Sequence, residues 1–175
     1  MLKEIKVNTK ALESMLFIWA SIKDREKISE AFLEDLAGTP EMKGAMQENF
    51  NERSVQKVLS AISNRERLNS PTKEESRFWN YNMWMLEDPD MTQLMLNPVK
   101  VLNVNEVKKK APADFPFESV EVIFFPGHFE SVKQIENQLF INFFLVKADM
   151  FEENKVTIED KDLKDYVMEQ ILTMK

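Results

Sequence analysis

The sequence predicts an α+β fold: a helical N-terminal half packed on a Phe-rich antiparallel sheet, closed by a C-terminal helix. Three observations carry that expectation. Apolar residues recur at helical spacing through residues 1–97. Beyond Asn97-Pro98 the chain changes to short runs rich in β-branched and aromatic residues. From Leu163 onward helical spacing returns. The expected organisation is a single domain over 1–175, with a helical lobe at 1–97 and the sheet plus C-terminal helix at 98–175.

The elements follow in order. "IKV" at 5–7 suggests an edge strand. Asn8 can cap a helix whose stripe is Leu12, Met15, Leu16, Trp19 and Ile22. Asp24 can cap the next, with Ile28, Ala31, Phe32 and Leu36 inward and Gly38 ending it. Thr39-Pro40 opens another helical turn, because proline at the first helical position loses no hydrogen bond. Val55, Val58, Leu59 and Ile62 form a stripe after Asn51. Thr72 with Glu75 makes a capping box for a helix that Pro89 stops. Asp90 with Gln93 repeats the pattern for a short helix ending before Pro98.

The second half reads as strands at 99–104, 119–125, 128–135, 139–146 and 155–159. They form an antiparallel meander, with Pro126-Gly127 as a type II turn in which glycine takes the positive φ. Asp160 caps the last helix. Strand 139–146 is apolar on both faces. Leu139, Ile141, Phe143 and Leu145 face one way; Phe140, Phe144 and Val146 face the other, with Asn142. Both faces need cover: helices can cover one, and the other needs more helices, a second subunit or a ligand; a homodimer is expected unless the C-terminal helix lies across the sheet and closes the monomer.

Composition excludes several functions. With no cysteine there are no disulfides, thiol nucleophiles or cysteine-based metal sites. One histidine leaves no zinc site, so no metal and no cofactor is expected. Three glycines cannot build a phosphate-cradling loop. The net charge of −7 and the lack of a basic face argue against nucleic acid; "KKK" at 108–110 reads as a solvated loop. No apolar run is long enough to span a bilayer, so no membrane partner is expected. "MLKEIKVNTK" carries charges where a signal peptide needs an apolar stretch, which points to a cytoplasmic location. The acidic clusters at 87–90, 149–154 and 159–162 lack calcium-loop spacing and suit helix N-termini. Arginine is confined to Arg25, Arg53, Arg65, Arg67 and Arg77, so an anionic ligand would be read from the first lobe.

Two stretches hold candidate site residues. "IFFPGHFE" contains His128, the only histidine. On a strand, Glu130 would share its face and could raise the imidazole pKa for acid–base work. The plainer reading makes His128 a surface residue after a turn. "RFWNYNMWML" at 77–86 is the more unusual stretch, with seven of ten residues aromatic or large and apolar. On a helix it points in every direction. Arg77, Trp79, Asn80, Tyr81, Asn82 and Trp84 are the candidate ligand-binding set, since aromatic lining with a few polar groups is the usual make-up of a small-molecule pocket. A central helix with its asparagines bonded internally or exposed is the alternative reading.

The functional expectation is therefore a non-enzymatic cytoplasmic binding or assembly protein. Its aromatic helix–sheet interface would hold an apolar small molecule or another subunit. The alternative is a small hydrolase or isomerase that uses carboxylates with His128 and Glu130.

Overall fold

In the computed structural model, which describes residues 1–175, the helices of the N-terminal half lie between two neighbouring strands of one sheet. β1 (Glu4–Asn8) opens the chain. α1 (Lys10–Lys23), α2 (Glu30–Ala37), a 3-10 segment (Pro40–Ala45), α3 (Glu52–Ser63), α4 (Lys73–Glu87), α5 (Pro89–Lys100) and α6 (Val107–Lys110) follow. β2 (Ser119–Phe125) then returns beside β1, parallel to it. The α+β class holds. The helical lobe is nevertheless a long crossover within the sheet, and one continuous core runs from Leu2 to Met174.

Local chemistry explains the helix boundaries. Asn51 and Ser54 form a reciprocal capping box on α3, and Thr72 and Glu75 form one on α4. The α3 stripe of Val55, Val58, Leu59 and Ile62 is buried as its spacing requires. Other caps differ from expectation. Asn8 accepts from the Lys10 amide but stands one residue outside the cap position, which is Thr9. Ser29, not Asp24, caps α2, and Asp88, not Asp90, caps α5. α1 and α3 end alike, in "IKDRE" and "ISNRE", with Arg25 and Arg65 in the left-handed region at φ 58° and 56°. The expected strand at 99–104 is not formed. α5 continues through Pro98 to Lys100 because Val99 is fully buried against the core and a proline near a helix end loses only one bond.

The sheet is mixed, not an antiparallel meander. Its order is β1-β2-β4-β3, with β3 (Val132–Ile135) and β4 (Gln138–Asn142). β2 pairs in parallel with both β1 and β4; only β3 and β4 are antiparallel. The hairpin turn is Glu136-Asn137, not Pro126-Gly127. No glycine has positive φ, so Gly127 makes no type II turn. It is a glycine because a Cβ there would lie 2.6 Å from the Asn142 Nδ2. Residues 126–131 instead cross the end of β4. The Gly127 amide donates to the Asn142 Oδ1 and the Asn142 amide to the Ser131 carbonyl.

The apolar run at 139–146 is strand only to Asn142, then a 3-10 turn, Phe143–Leu145. Leu139, Phe140, Ile141, Phe143, Phe144 and Val146 are all buried within one chain. Each such burial contributes about 1.5–3 kcal/mol. The reason for expecting a second subunit over this strand is thereby removed. α1 and Pro40–Ala45 pack on β2, and α7 (Leu163–Leu172) buries Tyr166, Val167 and Ile171 in the same core.

The expected strand at 155–159 forms in a separate sheet of β5 (Lys147–Ala148), β6 (Val156–Ile158) and β7 (Lys161–Asp162). Glu159 and Asp160 both take positive φ in its two-residue turn, so Asp162 rather than Asp160 precedes α7. No helix is long and apolar enough to cross a membrane.

Candidate functional site

α4 spreads its aromatic residues around its whole circumference, and this splits the expected ligand-binding set. Asn82 points inward and is fully buried. Its Oδ1 accepts from the Trp19 indole at 3.0 Å, and its Nδ2 donates to the Phe78 carbonyl at 2.9 Å. Each polar end therefore has a partner inside the protein. Arg77 points toward the crossing segment, with its guanidinium carbon 5.0 Å from the Phe129 ring centroid and a terminal nitrogen 3.9 Å from Glu74. Trp79 and Asn80 line a cleft along the loop that follows α3.

Tyr81 and Trp84 stand on a different groove. Tyr81 stacks on Phe144 with centroids 5.3 Å apart and planes at 10°, and meets Trp84 edge-on at 5.5 Å. Trp84 is 59% exposed, a large apolar side chain left in water. The far wall of the groove is Met91 and Met95 of α5, and its floor is the stretch from Phe144 to Ala148. Its volume is about 720 Å³, and nine of its twelve lining residues are hydrophobic. Glu87, Asp88 and Lys147 are the polar ones. The two methionines and the 144–148 floor were not singled out from sequence. Met91 and Met95 are four apart on one helix, a spacing that could have paired them.

His128 is not the surface residue the turn reading implied. It is 2% exposed, with its ring 4.3 Å from the Phe50 ring. Nε2 lies 3.1 Å from the Ala45 carbonyl oxygen, which can only accept, so Nε2 carries the hydrogen. In the neutral ring Nδ1 is then a bare acceptor, and it has no partner in the protein. Burial, assisted by the Arg77 charge, lowers the imidazole pKa below its usual value, although the Ala45 bond opposes this. Glu130 is exposed, in a segment that belongs to no strand, and makes no hydrogen bond to His128. The expected orienting pair on one strand face is not formed, because the crossing segment is irregular and strand alternation does not apply to it.

Two further buried polar groups lie along the 126–131 segment, Asn142 bonded to the Gly127 amide and Tyr166 near Ser131 and Glu159. Asn142 is fully buried; its Oδ1 accepts from both Gly127 and Phe144 amides at 3.0 Å, and its Nδ2 has no partner. The Tyr166 hydroxyl also lacks a hydrogen bond of good geometry. Burial and then the Glu159 carboxylate push its pKa up to about 12. The lone asparagine in "LFINFF" was the sequence signal for this seam; Tyr166 gave none beyond its place in a helical stripe.

The seam of His128, Asn142 and Tyr166 does not line the Trp84 groove, whose titratable lining residues are Tyr81, Glu87, Asp88 and Lys147. No group of three or more acidic or histidine side chains is arranged to hold a metal ion. Comparison with protein-family models, curated proteins and solved structures gives no match, so the functional reading rests on this geometry.

Proposed function

We propose that this is a non-enzymatic cytoplasmic binding protein, which holds an apolar small molecule in the groove between α4, α5 and residues 144–148. The observation that carries the reading is the Trp84 groove itself. Its volume of about 720 Å³ falls within the range of roughly 300–1,000 Å³ common for ligand sites. Its lining joins rigid aromatic side chains, Tyr81 and Trp84, to two adaptable methionines. Trp84 and Tyr81 would supply apolar area with little loss of side-chain freedom on binding. A second subunit is the alternative occupant, and the enzyme alternative has no accessible His128 to work with.

A neutral solvatochromic dye such as Nile red tests the reading. Its emission should shift to the blue on titration with the protein. Trp84→Ala should weaken that binding roughly tenfold or more, as loss of a tryptophan anchor does elsewhere. Unchanged binding in the variant would remove the groove as the site. Light scattering at the same concentration separates the alternative occupant, since a subunit-filled groove would give a mass above one chain and exclude the dye.

A further inference from the structure

The opposite flank of α4 carries a second, chemically different cavity. Between α1, α3 and α4 lies a chamber of about 390 Å³ walled by Ile22, Ile62, Met83 and Leu86. A cleft of about 560 Å³ adjoins it, running along the 64–72 loop past Ser76 and Asn80. Arg65, Glu66 and Trp79 line both, so the two spaces meet at Trp79. One space is apolar and the other polar, with an aromatic side chain between them.

The charge at this junction runs against the rest of the molecule. The chain carries −7 overall, yet the charged residues lining the two spaces are Lys23, Arg65 and Arg67 against Glu66 alone. None of the three cations forms a salt bridge, since all six ion pairs in the structure involve other residues. Arg65 is instead held across the mouth by a long bond, 3.4 Å, from its guanidinium to the Ile22 carbonyl. Its remaining N–H donors are free to receive an oxyanion, in the forked arrangement that suits a carboxylate.

The geometry points to a second ligand site here, one that takes an amphipathic anion: an apolar body in the Ile62–Met83–Leu86 chamber and a single carboxylate at Arg65 and Arg67. The apolar walls stabilise the body by removing it from water. The unpaired guanidinium groups stabilise the head and reject a cationic one. Trp79 covers the point where body meets head. This site does not depend on the Trp84 groove, from which α4 itself separates it.

Three indole N–H resonances, from Trp19, Trp79 and Trp84, report separately in a nitrogen-resolved NMR spectrum. Decanoate, kept below its micellar concentration, should move the Trp79 signal in a saturable way. Decanol should bind more weakly by roughly tenfold or more, because it lacks the charge-assisted contact. Decyltrimethylammonium should not compete. Arg67→Glu and Arg65→Gln should each weaken decanoate by a similar factor while leaving the Trp84 signal in place; two variants guard against one that misfolds. Equal affinity for decanol and decanoate, retained affinity in both variants, or a shift confined to Trp84 would each overturn the assignment. So would binding to phosphatidylglycerol vesicles with no response to monomeric decanoate, since that would make the cations a lipid-surface contact.

Discussion

The Trp84 groove and the strand-end seam are opposites in what they leave unfinished. In the groove, space and apolar surface are left open: Trp84 is 59% exposed beside a volume of about 720 Å³. In the seam, hydrogen bonds are left open: His128 Nδ1 and Asn142 Nδ2 are buried without partners, and the Tyr166 hydroxyl makes no bond of good geometry to the nearby Glu159 and Ser131. The groove has room but few reactive groups. The seam has polar groups that do not line the groove. A catalytic site needs both in one place, with the acid or base in reach of a substrate atom. Their separation is the ground on which we propose binding rather than turnover.

The largest expected effect breaks the seam sterically. Gly127→Ala would place a Cβ 2.6 Å from the Asn142 Nδ2 and 2.7 Å from the Phe125 ring. Neither neighbour can retreat, as both are buried in the core. We expect a loss of about 2–3 kcal/mol or more, measured by urea denaturation. A loss below about 0.5 kcal/mol would show that residues 126–131 can lift off β4, and the seam would no longer count as closed.

A smaller effect sharpens the seam by titration. The His128 pKa is lowered in the folded chain from the ordinary 6.5, by burial first, with Arg77 adding to it and the Ala45 bond, Glu74 and Glu130 opposing. The unfolded chain therefore binds the proton first as pH falls. Stability should be level for this group above about pH 6.5 and decline below it, until the folded imidazole also protonates. Glu75 titrates lower, where it confounds nothing. Burial raises its pKa, but bonds from Lys57, the Thr72 amide and Ser54 outweigh that and leave it below 4.5. His128→Gln should flatten the decline that sets in below about pH 6.5. An unaltered slope in that variant would assign the decline to other groups.

The smallest stability effect belongs to the groove. Trp84→Ala removes an exposed side chain, so thermal and urea stability should stay within about 0.5 kcal/mol of the parent even as dye binding falls. A loss of several kcal/mol would mean that Trp84 is structural and the groove is only an imperfectly filled part of the core.

How much of this was legible in the sequence depends on the range over which each feature is specified. The capping boxes at Asn51–Ser54 and Thr72–Glu75 are local, and they and the α3 stripe are where their residue types place them. Strand pairing is not local. "SVEVIFF" forms a strand as its residues require, but its neighbours are set by a crossover spanning residues 9–118, which no short pattern encodes. The lack of alternation in that run is nevertheless the mark of a strand buried on both faces and paired in parallel. Pro126-Gly127 misled because glycine serves two purposes. It permits positive φ, and it also permits close approach; here only the second applies. On α4, the outward spread of the aromatic residues was readable from helical periodicity. Which of them met a cavity was not, because Met91, Met95 and the 144–148 floor come from other parts of the chain.

The separation of access from chemistry is tested most directly on His128, because it is the only histidine. Diethyl pyrocarbonate acylates a neutral imidazole that solvent can reach, and the product is read by mass spectrometry on the intact chain after digestion of a parallel sample to place the adduct. In the folded protein at neutral pH, His128 should stay unmodified while a free imidazole control reacts to completion, and it should react once urea unfolds the chain. Modification of folded protein at a rate close to the control would contradict the account: the seam would then open to solvent, and His128 would stand where a substrate could meet it.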